Sequence, residues 1–156
     1  MASAQPNCIF CEIIAGQIPA FIVHQDADFV AFLDRHPLFP GHVLLSPRNH
    51  YETLLDLPAE LNGAAMANTQ LLAKAVESCM EAHGTFIAVN NRVSQTVPHL
   101  HIHIVPRRRK DGLKGFFWPR QDYKDDSDRE SVRAAIASEV KRLSTDYNSP
   151  VDSSTR

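Results

Sequence analysis

Three histidines on alternate positions, His99-Leu100-His101-Ile102-His103, constrain this chain more than any other feature of its sequence. Alternation with a period of two marks a β-strand, on which His99, His101 and His103 share one face while Leu100, Ile102 and Ile104 share the other. The apolar face is then the buried one, and the imidazoles project in a row about 6–7 Å apart. Such a row suits metal ligation, a series of phosphate contacts, or a nucleophile between supporting groups. The plain alternative is three solvated polar residues on an exposed sheet face. Imidazole titrates at about 6.5, so at neutral pH one ring can attack as the free base while a neighbour donates a proton. That pairing suits phosphoryl or nucleotidyl transfer, in which attack on phosphorus gives a phosphoramidate and divides one displacement into two.

The rest of the chain reads as strands with inserted and flanking helices. Apolar groups at Ile9, Phe10, Ile13 and Ile14 have helical spacing, closed by Gly16 and Pro19. Phe21 to His24 and Phe29 to Leu33 flank a polar turn as a hairpin, and His42 to Ser46 is a third strand stopped by Pro47. A long helix is expected from Pro58 to about His83, with Leu61, Ala65, Leu72, Val76 and Cys79 on its buried stripe and Gly84 at its end. Thr85 to Asn90 and His99 to Val105 follow as the fourth and fifth strands, the latter ended by Pro106. Ser127-x-x-Glu130 is a capping box that opens a last helix carrying Val132, Ile136, Val140 and Leu143 on one face. Lacking a regular βαβ alternation, the chain is expected to be α+β with a largely antiparallel sheet.

Length and charge bound the partners. The 156 residues, 44% apolar, make one domain's worth of core, and a net charge of −2 provides no global field for nucleic acid or an anionic membrane. Neither a spanning apolar run nor a signal-peptide pattern is present, so a soluble cytoplasmic protein is expected. The spacing Cys8-x-x-Cys11 in such a chain binds metal or does redox work more often than it forms a structural disulfide.

Several motifs occur in order: Cys8-Ile9-Phe10-Cys11-Glu12-Ile13-Ile14, then Gly41-His42-Val43-Leu44-Leu45-Ser46-Pro47-Arg48-Asn49-His50, then Gln95-Thr96-Val97 before the histidine run. Together they resemble the histidine triad (HIT) proteins, hydrolase-type branch, over about residues 7–107. The resemblance implies an α+β HIT-like fold: a five-stranded sheet, a long helix and a short N-terminal helix, with two sheets joined in a homodimer. It implies a purine nucleotide substrate cleaved at the α-phosphate, as in phosphoramidates, acyl adenylates or dinucleoside polyphosphates.

Carried onto this chain, the resemblance makes His101 the nucleophile, oriented through a backbone carbonyl. His103 and His42 contact phosphate oxygens, an electrostatic contribution that usually dominates such catalysis. Gln95 and Thr96 lie beside the α-phosphate and leaving group, Asp34 accepts from the ribose hydroxyls, and Asn90 matches an asparagine at the end of the fourth strand. Ile9, Phe10, Ile13, Ile18, Phe32 and Leu44 form the base pocket. By their residue types alone, Asp34 equally suits a turn, and Ile9, Phe10 and Ile13 equally suit a core.

Two departures matter. Asn91-Arg92-Val93-Ser94 is shorter than the family's stretch and lacks glycine, which puts its backbone donors to phosphate in question and leaves Arg92 as a substitute charge. The third histidine stands where transferase relatives carry glutamine, which favours hydrolysis. Metal-bearing members of the family add His50 and His99 to the CxxC pair, so Cys8, Cys11, His50 and His99 are the candidate ligands of a structural zinc (Zn2+). The competing reading makes the histidine row itself a catalytic metal site.

Four segments are expected: a flexible N-terminus (1–6), the core (7–107), a C-terminal extension with an aromatic loop and helix (108–143), and a disordered tail (144–156). Arg107 to Lys110 reads as a solvated basic run, with contact to a polyphosphate or a nucleic-acid end as the alternative. Trp118 is expected to pack on the sheet, with reach into a dimer partner's pocket, where it would tune the leaving group, as the alternative. The function class set against hydrolysis is a nucleotide-binding dimer that serves as a sensor or partner protein.

Overall fold

The computed structural model describes residues 5–112 and 121–147, in two compact units that divide after Gly112. The first unit holds the five strands found among the described residues: β1 (Ile22–Gln25), β2 (Phe29–Leu33), β3 (Val43–Pro47), β4 (Gly84–Val89) and β5 (Ile102–Arg107). They form one sheet of order β1-β2-β3-β5-β4 in which every pairing is antiparallel. Asp26 makes the first hairpin turn, since its Oδ1 accepts from the N–H groups of Asp28 and Phe29 at 2.9 and 2.7 Å.

Both faces of the sheet centre are covered, which is why β2 and β3 read as continuous apolar runs. On one face Phe29, Ala31, Val43, Leu45, Ile102 and Ile104 pack with Ala65, Leu72 and Val76 of α2 (Asn62–Cys79). On the other, Val30, Phe32 and Leu44 pack with Cys8, Phe10 and Cys11 at the start of the chain. Helix α1 (Ile9–Ile14) spans only six residues and has no side-chain cap. Isolated helices shorter than about 12 residues are marginal in water, so α1 depends on what it packs against.

Several boundaries differ from expectation. Pro58 precedes a 3₁₀ turn, Ala59–Leu61, and the α-helix begins at Asn62. It ends at Cys79, followed by Glu81 in the left-handed region at φ 49°, so Gly84 opens β4 instead of closing the helix. Cys79 is exposed, not core: Met80, one position on, packs against the apolar cluster in its place. The fifth strand begins at Ile102, not His99, and runs through Pro106. Pro106 lies past the last residue paired with β3, Ile104 with Val43, so its missing N–H costs no bond on that side.

The second unit is described by its helix, α3 (Asp126–Tyr147). The expected capping box at Ser127 is replaced by Asp125, whose Oδ1 accepts from the N–H of Asp128 at 2.8 Å. The helix also runs past Leu143, where the tail was expected to begin. Val132, Ile136, Val140 and Leu143 are exposed within it. The aromatic loop with Trp118, residues 1–4 and residues 148–156 lie outside the described residues.

Gly41, in the turn that leads into β3, has φ +92°, and a Cβ there would stand 2.7 Å from Met80 Cγ. Gly41→Ala is therefore expected to cost about 1–2 kcal/mol from backbone handedness, with the displacement of Met80 in addition. Urea unfolding measures it; a loss under about 0.5 kcal/mol would contradict the assignment.

Candidate functional site

The histidine row separates into two environments. His99, in a bend, and His101 precede β5, and both are buried, at 0% and 5% exposure. The plain alternative, solvated residues on an exposed sheet face, therefore fails, because α1 and its flanks cover that face. Phe10 is the covering group: its ring meets His101 edge-on at 5.2 Å and Phe32 likewise at 5.2 Å.

His99 turns towards the cysteines. Its Nδ1 lies 3.5 Å from Cys8 Sγ and 3.6 Å from Cys11 Sγ, while His50 Nδ1 lies 3.4 Å from Cys11 Sγ. The four donor atoms of Cys8, Cys11, His50 and His99 all fall within 4.8 Å of one another. A tetrahedral ion with sulfur bonds of about 2.3 Å and nitrogen bonds of about 2.0 Å requires sulfur–nitrogen edges of about 3.5 Å, so the spacing fits one ion. The Nε2–H of His99 donates to the Pro47 carbonyl at 2.9 Å, which leaves Nδ1 as the ligating nitrogen. Burial holds His99 neutral, its pKa pushed down to about 4, and pushes the Cys11 thiol up. A bound cation would offset the second effect by favouring thiolate.

His101 and His103 belong to the other group, with ring centroids 4.8 Å apart. The Nδ1–H of His101 donates to the His99 carbonyl at 2.7 Å, so the lone pair resides on Nε2. Burial lowers the His101 pKa, opposed by that hydrogen bond and by Asp34, so the ring is a free base at neutral pH. His103 pairs across the sheet with Leu44, and its Nδ1 lies 3.0 Å from Nε2 of His42. Burial pushes His103 down to about 4, helped by neighbouring His101 and His42. His42 is lowered by burial too, with Asp34 opposing. Asp34 Oδ2 stands 3.3 Å from His42 Nδ1. His103 Nε2 is buried without a hydrogen-bond partner.

The other expected site residues divide in the same way. Phe10, Phe32 and Leu44 are closed core, whereas Ile9 is 41% exposed and Ile13 and Ile18 are half-buried. Gln95 is committed at both ends to backbone: its Oε1 accepts from the Arg92 N–H at 2.7 Å and its Nε2–H donates to the Glu52 carbonyl at 2.5 Å. Asn90 donates to the Ser94 carbonyl at 3.3 Å, and Thr96 is exposed in the same loop. Arg92 and Ser94 take left-handed φ values of 68° and 60°, so the glycine-free loop makes its turns with side-chain-bearing residues. Arg107 is paired with Asp111, and Arg108 donates to the Met80 carbonyl, so the basic run is partly committed to the fold. Sequence reasoning missed the Pro47 carbonyl and the Leu38 N–H, which donates to His42 Nδ1 at 3.3 Å, since backbone groups leave no residue-type signal.

A sheet with this order, carrying a histidine cluster at the entry to β5, defines an α+β protein with a polar site under a short N-terminal helix. A HIT domain family model matches residues 15–110, and the chain belongs to the HIT family. An uncharacterized HIT-like protein of Mycobacterium tuberculosis is 37% identical over 83% of this chain and 93% of its own length. An adenosine 5′-monophosphoramidase of Saccharomyces cerevisiae is 35% identical over 78% of this chain and 75% of its own. An adenylylsulfatase of Arabidopsis thaliana is 33% identical over 72% and 58%. Among solved structures, a Streptococcus mutans protein superposes with a TM-score of 0.80 at 31% identity, covering 90% of this chain and 89% of that one. A zinc-bound histidine triad family protein from Mycobacterium smegmatis gives 0.66 at 35% identity, covering 87% and 97%.

Two outcomes are expected. Cys11→Ser should lower the metal content of purified protein and remove the sensitivity of its melting temperature to chelator; an unchanged content by elemental analysis would refute the cluster. His103 protonates near 6.5 when unfolded but only at about 4 when folded. The unfolded chain therefore binds the proton first as pH falls, and stability is retained above about 6.5 and lost from there towards 4. Chemical unfolding across this window should show that loss, and His103→Asn should reduce its slope.

Proposed function

We propose that the protein is a nucleotide hydrolase that cleaves a bond at the α-phosphate of AMP-like substrates through a nucleotidyl-His101 intermediate. The observation that carries this reading is the 2.7 Å hydrogen bond from His101 Nδ1 to the His99 carbonyl. It places the proton on Nδ1, leaves Nε2 bare, and provides an acceptor for the positive ring that forms on attack. The relatives named as a phosphoramidase and an adenylylsulfatase support the same chemistry.

In the first step Nε2 of His101 bonds to the α-phosphorus and the leaving group departs with the bonding pair. The ring is then cationic, its Nδ1–H held by the carbonyl. In the second, water bonds to phosphorus, the N–P bond breaks, and the ring is restored to its neutral form. The proton released by water balances the one taken up by the leaving group. His103 and His42 ease the charge on the phosphoryl oxygens, while Asp34, Ile9, Ile13 and Ile18 border the nucleotide. Gln95, Thr96 and Asn90 shape the loop beside the leaving group.

Cys8, Cys11, His50 and His99 would hold zinc as a structural ion, since four protein ligands leave no open position for water. Bound there, zinc supplies a crosslink between the α1 segment and the chain entering β5, and no reaction chemistry. We place the protein in the cytoplasm as a homodimer; no helix among the described residues is long and apolar enough to cross a membrane.

Hydrolysis of adenosine 5′-phosphoramidate provides the test. His101→Asn should lower AMP release at least about 10³-fold, as loss of a nucleophile does elsewhere. Acid quenching of wild type should trap an adenylyl group on His101. Wild type that releases AMP no faster than the variant, while both bind AMP, would instead make this a nucleotide-binding protein.

A further inference from the structure

A neutral imidazole carries one ring proton, so the 3.0 Å contact between His42 Nε2 and His103 Nδ1 requires one ring to donate to the other. The direction of that bond decides what His103 presents at Nε2, the buried ring nitrogen with no partner. The far end of the pair sets the direction. There, His42 Nδ1 faces two groups with opposite demands: the Leu38 N–H at 3.3 Å, which needs a bare nitrogen, and Asp34 Oδ2 at 3.3 Å, which attracts a proton. The other carboxylate oxygen of Asp34 accepts from the His36 N–H at 2.9 Å, which fixes the group in place.

We propose that Asp34 is a positioning residue that acts on His103 through His42, holding the pair in its singly cationic state when an anionic oxygen occupies the edge of His103. In that state His42 carries protons on both nitrogens, Nδ1–H towards Asp34 and Nε2–H towards His103, and His103 presents Nε2–H as a donor. Charges then alternate along the line: substrate anion, histidine pair, Asp34 carboxylate. Without Asp34 the neutral pair still donates, through the Leu38 end, but a neutral donor is weaker than a charge-assisted one. The titratable groups facing His42 are Asp34, His103 and His101, and only Asp34 is an anion. Burial alone would keep the pair neutral, so it takes up one proton from solvent as the substrate anion binds.

The catalytic consequence rests on the hydrolase reading; the effect on the histidine pair does not. Asp34 retains lone pairs for a ribose hydroxyl, so the experiment must separate the two roles. Wild type and Asp34→Asn are compared on adenosine 5′-phosphoramidate and on its 2′,3′-dideoxy analogue. The ring nitrogens of His42 are followed by NMR against pH in both free proteins. The expected result is a loss of kcat of about tenfold or more on both substrates alike, with a lower titration midpoint for His42 in the variant. A loss confined to the ribose-bearing substrate would overturn the proposal, and so would an unchanged midpoint. If wild type hydrolyses neither substrate, the hydrolase reading fails, and the His42 midpoint alone decides the role of Asp34.

Discussion

The fold of the site depends on how α1 is held. Six residues without a side-chain cap cannot sustain a helix, and the segment is held instead by burial of Phe10 against Phe32 and by Cys8 and Cys11 against His50 and His99. Burial of a phenylalanine contributes about 2–3 kcal/mol, so the ring and the four-residue cluster act together. Because Phe10 also lies edge-on to His101, the anchoring of α1 determines whether the central histidine is covered. Packing and protonation are thus linked, since it is burial that lowers the pKa of His101.

Each member of the histidine run has a different task because each is held by a different backbone or sheet contact. His99 gives one nitrogen to the Pro47 carbonyl and presents the other to the cysteines. His101 takes the His99 carbonyl, so the residue that turns away to the cluster also orients its neighbour. His103, within β5, is placed by the sheet register opposite Leu44 and meets His42 from the adjoining strand entry. A single competing site in which all three ligate one ion is excluded by these separate commitments.

Much of this was legible in the residues. The alternation of His99 to His103 marked the chemistry, the apolar runs marked the strands, and the Cys8–Cys11 spacing marked one half of the cluster. Boundaries were less legible where a turn residue was replaced by an unexpected one. Glu81 turns the chain after α2 instead of Gly84, and Asp125 caps α3 instead of Ser127. Cys79 looked like a core residue by spacing, yet Met80 has the reach to fill that position. Residue type gives no sign that Gln95 and Asn90 also make bonds that brace the loop.

By itself the sequence determined residue type and period: which strands form, which side chains are apolar, and that imidazoles and thiols are available for nitrogen and sulfur chemistry. The tertiary structure decided which nitrogen of each imidazole is free, because that follows from the carbonyl or ring across from it. It also decided that the histidine face is covered, because the element covering it lies some 90 residues away along the chain and meets it only after the sheet has formed. Local pattern records what a strand offers; only long-range packing records what is set against it.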